Sequence, residues 1–232
     1  MNYLSYAEKS ISNHAEEYLE AIYRIENKAG FARTMELARE LGVVAGSITN
    51  TIDNLEKKGL VVHEPYKGVK LTEEGRRIAS NIIRRHRLAE RLLTDFLHID
   101  WSEVHEPACK LEHAISPEII KNLEKALGHP KRCPHGNPIP LNCGGIIEEE
   151  TIALTELDIK TSVVIVKIIE EKVDLLKKLT SLNLTPGKKI EIRNKSETNG
   201  EFLIRIENKN QVIDYELASK IYVKKNEKEV KD

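Results

Sequence analysis

Four side chains between positions 105 and 113 have the types and spacing of metal ligands: His105, Cys109, Glu112 and His113. On a helix, residues three or four apart share a face, so the first three form one stripe and His113 stands beside it. About twenty residues earlier His86 and Glu90, four apart, can chelate in the same way. Imidazole, thiolate and carboxylate together make a site for a first-row divalent cation. Carboxylate with imidazole suits Mn²⁺ or Fe²⁺, and a thiolate moves preference toward Fe²⁺, Co²⁺, Ni²⁺ or Zn²⁺. Fe²⁺ satisfies both tendencies best. The imidazoles and the thiol bind only without their protons, so affinity is expected to fall in mild acid.

A second chemistry lies nearer the N-terminus. A helix expected from about Gly46 to Lys57 carries Ile48, Ile52 and Leu55 on one face and Ser47, Thr49, Asn50 and Asn54 on the other. An asparagine can bond an adenine edge through two hydrogen bonds, alanine and threonine methyls can touch thymine, and a helix N-terminus can approach phosphate. Between Lys57 and Lys70 four lysines face one acid, Glu64, and Arg33 precedes the neighbouring helix, which is where phosphate contacts belong. The DNA-contacting candidates are Arg33, Ala45, Gly46, Ser47, Thr49, Asn50, Lys57 and Lys67. The plainer reading of the same pattern is an ordinary solvated face on a protein-binding module.

The elements that must position these groups follow from periodicity and punctuation. Tyr18, Leu19, Ile22, Tyr23 and Ile25 mark a first helix from Glu16 to Glu26, and Thr34 is expected to cap a short one that stops at Gly42. After the Asn50 helix, Leu60–Val62 and Val69–Leu71 enclose a Pro-Tyr-Lys-Gly turn, a β-hairpin. Helix, helix, turn, helix and hairpin make a winged helix-turn-helix. Thr72 opens a long helix reaching to about His98, Ser102 is expected to cap another to about Ile115, and Ser116-Pro117 starts a third ending at Gly128. Residues 129–145 hold four prolines and read as an irregular linker. Beyond Thr151 the pattern turns to strands at Ser162–Ile169, Lys188–Arg193, Phe202–Glu207 and Ile221–Lys224, with a short helix at Val173–Leu179, the makings of a small β-barrel. The expected division is 1–73 for the winged helix, 74–145 for a helical metal-binding and dimerisation domain including the linker, and 146–232 for an SH3-like domain.

Composition limits the alternatives. The 232 residues are 40% apolar and 31% charged with a net charge of −1, so any nucleic-acid surface is local rather than global. No apolar run reaches the roughly 18 residues needed to span a bilayer, and no secretion signal is present, which places the expected protein in the cytoplasm without a membrane partner. Three cysteines, Cys109, Cys133 and Cys143, argue for thiol or metal chemistry over a disulfide framework. Cys133, His135 and Cys143, with His129 nearby, match no common zinc-finger spacing, and a plain loop is the better reading. A metal-dependent hydrolase is the competing functional class, because such a cluster with an open position can activate water. No oxyanion device or pocket for a small organic substrate is legible, and an enzyme has no use for Asn50 and a lysine-rich wing.

The stretch HRLAERLLTDFLHIDWSEVHEPACKLEHAIS, from His86 to Ser116, together with GNPIP at Gly136–Pro140, resembles the diphtheria-toxin-repressor family of iron-dependent regulators. The resemblance implies a mainly α protein with small β parts: a winged helix, a helical dimerisation domain and a C-terminal SH3-like barrel. It implies a homodimer that represses metal-homeostasis genes from palindromic double-stranded operators when Fe²⁺ binds. Manganese-responsive repression is the alternative within the family. Matched by position, Cys109, Glu112 and His113 fall on the activating metal site and His86, Glu90 and His105 on the ancillary one. In the context EEYLEAIY, Glu17 stands where the iron-responsive members carry a methionine ligand, and Glu20 matches a second carboxylate of the manganese-responsive members. The C-terminal domain's ancillary ligands, three apart in the family, correspond after a one-residue shift to Glu171 and Asp174.

Overall fold

A computed structural model describes residues 11–142, 145–147, 149–196 and 200–225. The chain divides into two units, one comprising residues up to Arg85 with Pro140–Ile146, the other His86–Ile139 with the residues from Ile147 onward.

In the first unit, helix α1 (Asn13–Ala29) begins earlier than its apolar stripe because Ser12 Oγ accepts from the Ala15 N–H at 3.3 Å. It stops at Gly30, whose φ of 83° is the left-handed conformation glycine adopts without strain. Helix α2 (Thr34–Leu41) corrects one expectation: Arg33, not Thr34, occupies the cap position, and the Glu36 carboxylate reaches back to the Arg33 N–H at 3.2 Å. Helix α3 (Ala45–Lys57) buries Ile48, Ile52 and Leu55 against Tyr18, Leu19, Ile22 and Leu37. Strands β1 (Val61–Glu64) and β2 (Gly68–Leu71) pair antiparallel, Val61 with Leu71 through Glu64 with Gly68. Ala32 and Val69 exchange backbone hydrogen bonds of 2.9 Å, which ties this wing to the α1–α2 connection. A Cβ at Gly68 would stand 2.6 Å from the Ala32 carbonyl oxygen, so that close approach requires glycine.

Helix α4 (Glu73–Asp95) starts under Thr72, whose Oγ1 accepts from the Gly75 N–H at 3.1 Å. Its 23 residues extend about 34 Å, and it ends before the expected His98, which follows in a turn with φ 54°. Ala79, Ile82 and Ile83 of its first half complete the first core. Glu26 with Arg76, and Glu16 with Arg85 at 2.6 Å, pin α4 to α1.

The second unit contains the rest of α4, where Ala89 and Leu93 pack with Val104, Ala108 and Ile115. Helix α5 (His105–Glu112) is shorter than expected at both ends. Ser102 does not cap it: its hydroxyl donates to Asp100 at 2.5 Å, two residues before Val104 takes the cap position. Helix α6 (Pro117–Ala126) starts as expected, with Ser116 Oγ accepting from the Ile119 N–H and proline at the first turn.

Strands β3 (Ile152–Ala153), β4 (Ser162–Ile168), β5 (Lys189–Lys195), β6 (Phe202–Ile206), β7 (Lys209–Ile213) and β8 (Ile221–Lys225) form one sheet in the order β3-β8-β4-β5-β6-β7, all pairs antiparallel. Helices α7 (Val173–Ser181) and α8 (Tyr215–Ser219) pack Leu176, Leu179 and Leu217 on its core. Register shifts in β4 and β5 bend the sheet. Strands β3 and β7 and helix α8 are absent from the sequence reading. β3 is two residues long, and β7 is an edge strand of mostly polar, exposed residues with no alternation to detect. No helix among the described residues is long and apolar enough to cross a membrane.

Candidate metal centre

The second unit gathers most of the expected ligands, and each arrives on an element whose local sequence fixes it. The back half of α4 presents His86 and Glu90 one turn apart, and both are buried, at 1% and 0% exposure. Helix α5 presents His105, Cys109 and Glu112 along its stripe, with His113 at its C-cap. His86 stands between two carboxylates: its Nδ1 lies 2.6 Å from Glu112 Oε2 and its Nε2 lies 3.2 Å from Glu90 Oε1. Cys109 Sγ lies 3.9 Å from His86 Nδ1 and 3.8 Å from His105 Nε2. His113 Nε2 reaches Glu112 Oε1 at 3.5 Å.

Glu171 joins this cluster from the connection between β4 and α7, with Oε2 at 3.0 Å from His105 Nδ1. Asp174, paired with it in the sequence reading, does not: it sits exposed in the first turn of α7, one turn beyond the point where the chain leaves the cluster.

Two further donors were dismissed by the sequence reading as part of a plain loop. Cys133 and His135 are buried, at 3% and 0% exposure, and with Glu90 and Glu171 they offer ligand atoms all within 4.8 Å of one another. The loop is irregular in backbone but held firmly. The Cys133 N–H donates to Asn137 O and the Gly136 N–H to Cys133 O, both at 2.9 Å, closing a tight turn. The Arg87 guanidinium donates to the Pro138 carbonyl, and the Ile168 N–H to His135 O at 2.9 Å. A Cβ at Gly136 would fall 2.0 Å from the Val166 carbonyl oxygen, so only glycine lets the turn lie on β4. His135 Nε2 donates to the Trp101 carbonyl at 2.8 Å, which turns Nδ1 into the cluster, 3.1 Å from Glu90 Oε1. The spacing Cys-Pro-His was the available signal, and it needed its carboxylate partners from α4 and the β4–α7 connection before it meant anything. Of the remaining members of that grouping, His129 is exposed and Cys143 lies outside the described residues.

The electrostatics are those of a site held together by protons. Burial opposes the charged form of His105, but hydrogen bonds with Cys109, Glu171 and Glu90 outweigh it and carry its pKa up to about 11. Burial likewise opposes, and Glu90, Cys109 and Glu112 overcome, the shift of His86, which ends well above its ordinary value. His135 is raised too, against its burial, by Glu90 and Glu171. Glu90 is held well below the usual carboxylate range despite its burial, by His86, His105 and His135. Cys109 is lowered against its burial by the two imidazoles beside it. Cys133 goes the other way, because burial and the charges of Glu90 and Glu171 keep its proton on. Glu90 Oε2 is buried without a hydrogen-bond partner among the described residues. A buried carboxylate oxygen left unmatched among imidazoles and thiols is the arrangement a divalent cation satisfies, so the donor set fits a metal ion.

The N-terminal carboxylates lie in the first unit. Glu17 is exposed on α1, and Glu20 is buried and paired with Arg24 at 2.6 Å. In that unit the expected DNA-contacting face is open: Thr49, Asn50, Asp53 and Asn54 of α3 are exposed, as are Arg33, Gly46, Lys57 and Lys67, while Ala45 and Ser47 are half-buried. On the wing the ammonium groups of Lys70 and Lys67 stand 4.1 and 5.4 Å from the centre of the Phe31 ring, and Lys67 also meets Glu64 at 3.0 Å. Phe31 is a positioning residue for the wing lysines that sequence spacing did not single out.

Comparison with known proteins agrees over nearly the whole chain. The family described as "Iron dependent repressor, N-terminal DNA binding domain" matches residues 10–69, "Iron dependent repressor, metal binding and dimerisation domain" matches 72–141, and "FeoA domain" matches 152–225. The iron-dependent repressor IdeR of Mycobacterium tuberculosis is 30% identical over 222 residues, covering 90% of this chain and 96% of that protein. A manganese-dependent transcriptional repressor in complex with manganese has a similar structure, with a TM-score of 0.83 at 28% identity, covering 91% of this chain and all of the other. IdeR of T. acidophilum gives 0.78 at 29% identity, covering 94% of this chain and all of the other.

Proposed function

The chain belongs to the diphtheria-toxin-repressor family of metal-dependent transcriptional repressors, and from that premise we propose that it is a cytoplasmic homodimer, activated by Fe²⁺, that binds a palindromic operator and controls iron-homeostasis genes. The observation that carries the reading is the cluster of His86, Glu90, His105, Cys109 and Glu171, with Glu112 on His86, beside a buried Glu90 oxygen that has no hydrogen-bond partner among the described residues. Cys109, Glu112 and His113 would hold the activating ion, with Glu17, and with Glu20 as a weaker candidate, added on the resemblance alone. His86, Glu90, His105 and Glu171 would hold an ancillary one. A bound divalent ion supplies the positive charge that protons on the imidazoles supply without it. Around that charge Glu112 orients His86 through Nδ1, and Asn137 orients Glu171 by donating to its Oε1 at 2.9 Å.

Iron is favoured over manganese by the half-buried Cys109 thiol, whose pKa is already lowered by its imidazole neighbours. Manganese is the second reading, and the carboxylate at Glu17 is the observation that favours it. Co²⁺, Ni²⁺ and Zn²⁺ serve as substitutes in vitro. The relatives compared are repressors, which sets the hydrolase alternative aside.

On the DNA side Asn50 and Thr49 would read base edges while Arg33, Lys57 and Lys67 meet phosphates, with the start of α3 at Ala45 and Gly46 closest to the backbone. The proposed domain limits are 1–73, 74–145 and 146–232. Paired reading heads should meet half-sites about one helical turn, roughly 34 Å, or a multiple of it apart. The test is a footprint on upstream DNA with Fe²⁺, Mn²⁺ or chelator, beside a measurement of mass in solution. Protection of an inverted repeat that requires metal, by a dimer, is the expected result. Metal-independent binding, or a monomer at micromolar concentration, overturns the reading. Metal and DNA must strengthen each other's binding by the same factor, typically about 5- to 150-fold. Glu17→Ala should keep weak metal binding and lose most of that coupling.

A further inference from the structure

We propose that Tyr66, at the tip of the β1–β2 wing, enters the minor groove of operator DNA beside the half-site read by α3, where its phenol selects A·T pairs. The inference rests on the reading of the chain as a DNA-binding repressor and adds a base-selective contact outside α3. Tyr66 is fully exposed, and no hydrogen bond, ion pair or ring contact holds its side chain among the described residues. Its φ is 66°, the left-handed region that bulky side chains rarely enter. The turn explains the angle but not the residue. Pro65 presets the second position, and the Lys67 N–H donates to the Glu64 carbonyl at 3.1 Å, so Tyr66 stands at the third position, where a positive φ ordinarily calls for glycine or asparagine. A tyrosine there carries backbone strain that no packing within the chain offsets, which is how a side chain kept for contact with another molecule is held.

The base of the wing gives that tip a fixed support. Ala32 and Val69 exchange backbone hydrogen bonds of 2.9 Å, and Gly68 lies against the Ala32 carbonyl. Positive charge stands beside the ring. Lys67 follows it directly in the chain, and the Lys70 ammonium is held 4.1 Å from the centre of the Phe31 ring. Glu64, the acid of the wing, is met by Lys67 at 3.0 Å. An aromatic ring flanked by ammonium groups is complementary to a groove with anionic rims and apolar sugar walls. Helix α3 already offers the element that fits a major groove, and a hairpin tip bearing one ring suits the narrower minor groove alongside. A·T tracts narrow that groove further and concentrate the negative potential that draws lysines. The phenol O–H is a donor there: thymine O2 and adenine N3 accept from it, whereas a G·C pair puts the guanine 2-amino group, itself a donor, in its path.

The test uses the full chain with Mn²⁺ and operator duplexes whose pairs flanking the half-sites are A·T, G·C or hypoxanthine·C. The last keeps the major-groove face of G·C but lacks the 2-amino group in the minor groove. The unaltered chain should bind the A·T and hypoxanthine·C duplexes alike and the G·C duplex about 2- to 10-fold more weakly, the span of one hydrogen bond. Tyr66→Phe should lose that discrimination. Tyr66→Gly should bind all three duplexes equally, and more weakly than the unaltered chain binds A·T, with the salt slope unchanged because no charge is removed. Its melting temperature should move little, since relief of strain at φ 66° offsets the freedom glycine adds to the unfolded chain. The proposal is overturned if the unaltered chain ignores the flanking pair, or if Tyr66→Gly matches it on A·T, as a tip that docks another protein would. A Tyr66→Gly chain that melts far below the unaltered one overturns it too, because the ring then serves the fold. Metal-dependent protection of an inverted repeat alongside any of these results leaves the repressor reading standing. If the unaltered chain selects no duplex with metal bound, both readings fall.

Discussion

Helices α3 and α5 are both short, both amphipathic and both rich in polar side chains, yet they put those side chains to opposite uses. On α3 the apolar residues Ile48, Ile52 and Leu55 face the core and Thr49, Asn50 and Asn54 are left exposed, so their hydrogen bonds go to water until another surface replaces it. On α5 it is the polar stripe that turns inward: Glu112 is 1% exposed and meets a buried histidine, and Cys109 and His105 are half-buried beside it. A solvated polar face costs nothing to keep unpaired, whereas a buried one must be matched by protons or by a metal ion. Substitutions should therefore act on recognition at α3 and on stability at the metal pocket.

The largest separation is expected at Glu90. Its carboxylate is fully buried against His86 and His135, and Glu90→Gln leaves those imidazoles without their counter-charge, so the metal-free chain should lose about 3 kcal/mol or more in a denaturant titration at neutral pH. A change under 1 kcal/mol would mean that the pocket is hydrated and that the contrast with α3 is wrong.

Next in size is a pH dependence confined to the pocket. His86, His105 and His135 all have pKa values raised above the ordinary 6.5, His105 to about 11. Folding then favours the protonated forms. Their stabilisation is fully present below about 6.5 and is lost as pH rises through the folded-state values, toward 11 for His105. The chelated protein should accordingly become less stable from pH 6.5 upward. The metal-loaded protein should gain over it with rising pH, because the ion takes the place of protons. Thermal melts at several pH values, with and without Mn²⁺, read the two trends directly, and a metal-free stability that rises over this range would contradict the assignment.

The smallest effects on folding are expected on the reading face. Asn50→Ala should leave stability within about 0.5 kcal/mol and metal affinity unchanged, yet weaken specific DNA binding by about 1–3 kcal/mol. Equal losses on specific and random DNA would show that α3 does not read bases. Lys67→Ala removes a charge held over Phe31 on the wing and should lower affinity on all sequences, reducing the salt slope by about 0.9.

Much of this was legible without coordinates, for a reason that the two helices share. Local periodicity reports which residues lie on one face, so the winged helix, the long α4 and the stripe of His105, Cys109 and Glu112 follow from spacing within a few turns. Helix starts were less legible: Thr34 and Ser102 are good caps by type, but α2 starts one residue earlier, with Glu36 accepting from the Arg33 N–H, and the Ser102 hydroxyl is turned to Asp100 while Val104 takes the cap position of α5. Strand β7 escaped because an exposed edge carries no alternation.

By itself the sequence determined the fold class, the polar face of α3 and which side chains of α4 and α5 are candidate ligands, two on α4 and four at α5, since each depends on contacts within one element or on a motif long enough to be specific. Only the tertiary structure decided that Cys133 and His135 join the buried donor cluster, that Glu171 enters it and that Asp174 does not. Those donors sit in loops, where no period predicts direction, and their partners are more than thirty residues away in sequence. Their positions are set by a glycine turn lying on β4, by a backbone carbonyl at Trp101 and by the point where the chain leaves β4, and a side chain placed by packing between distant segments leaves no mark in local spacing.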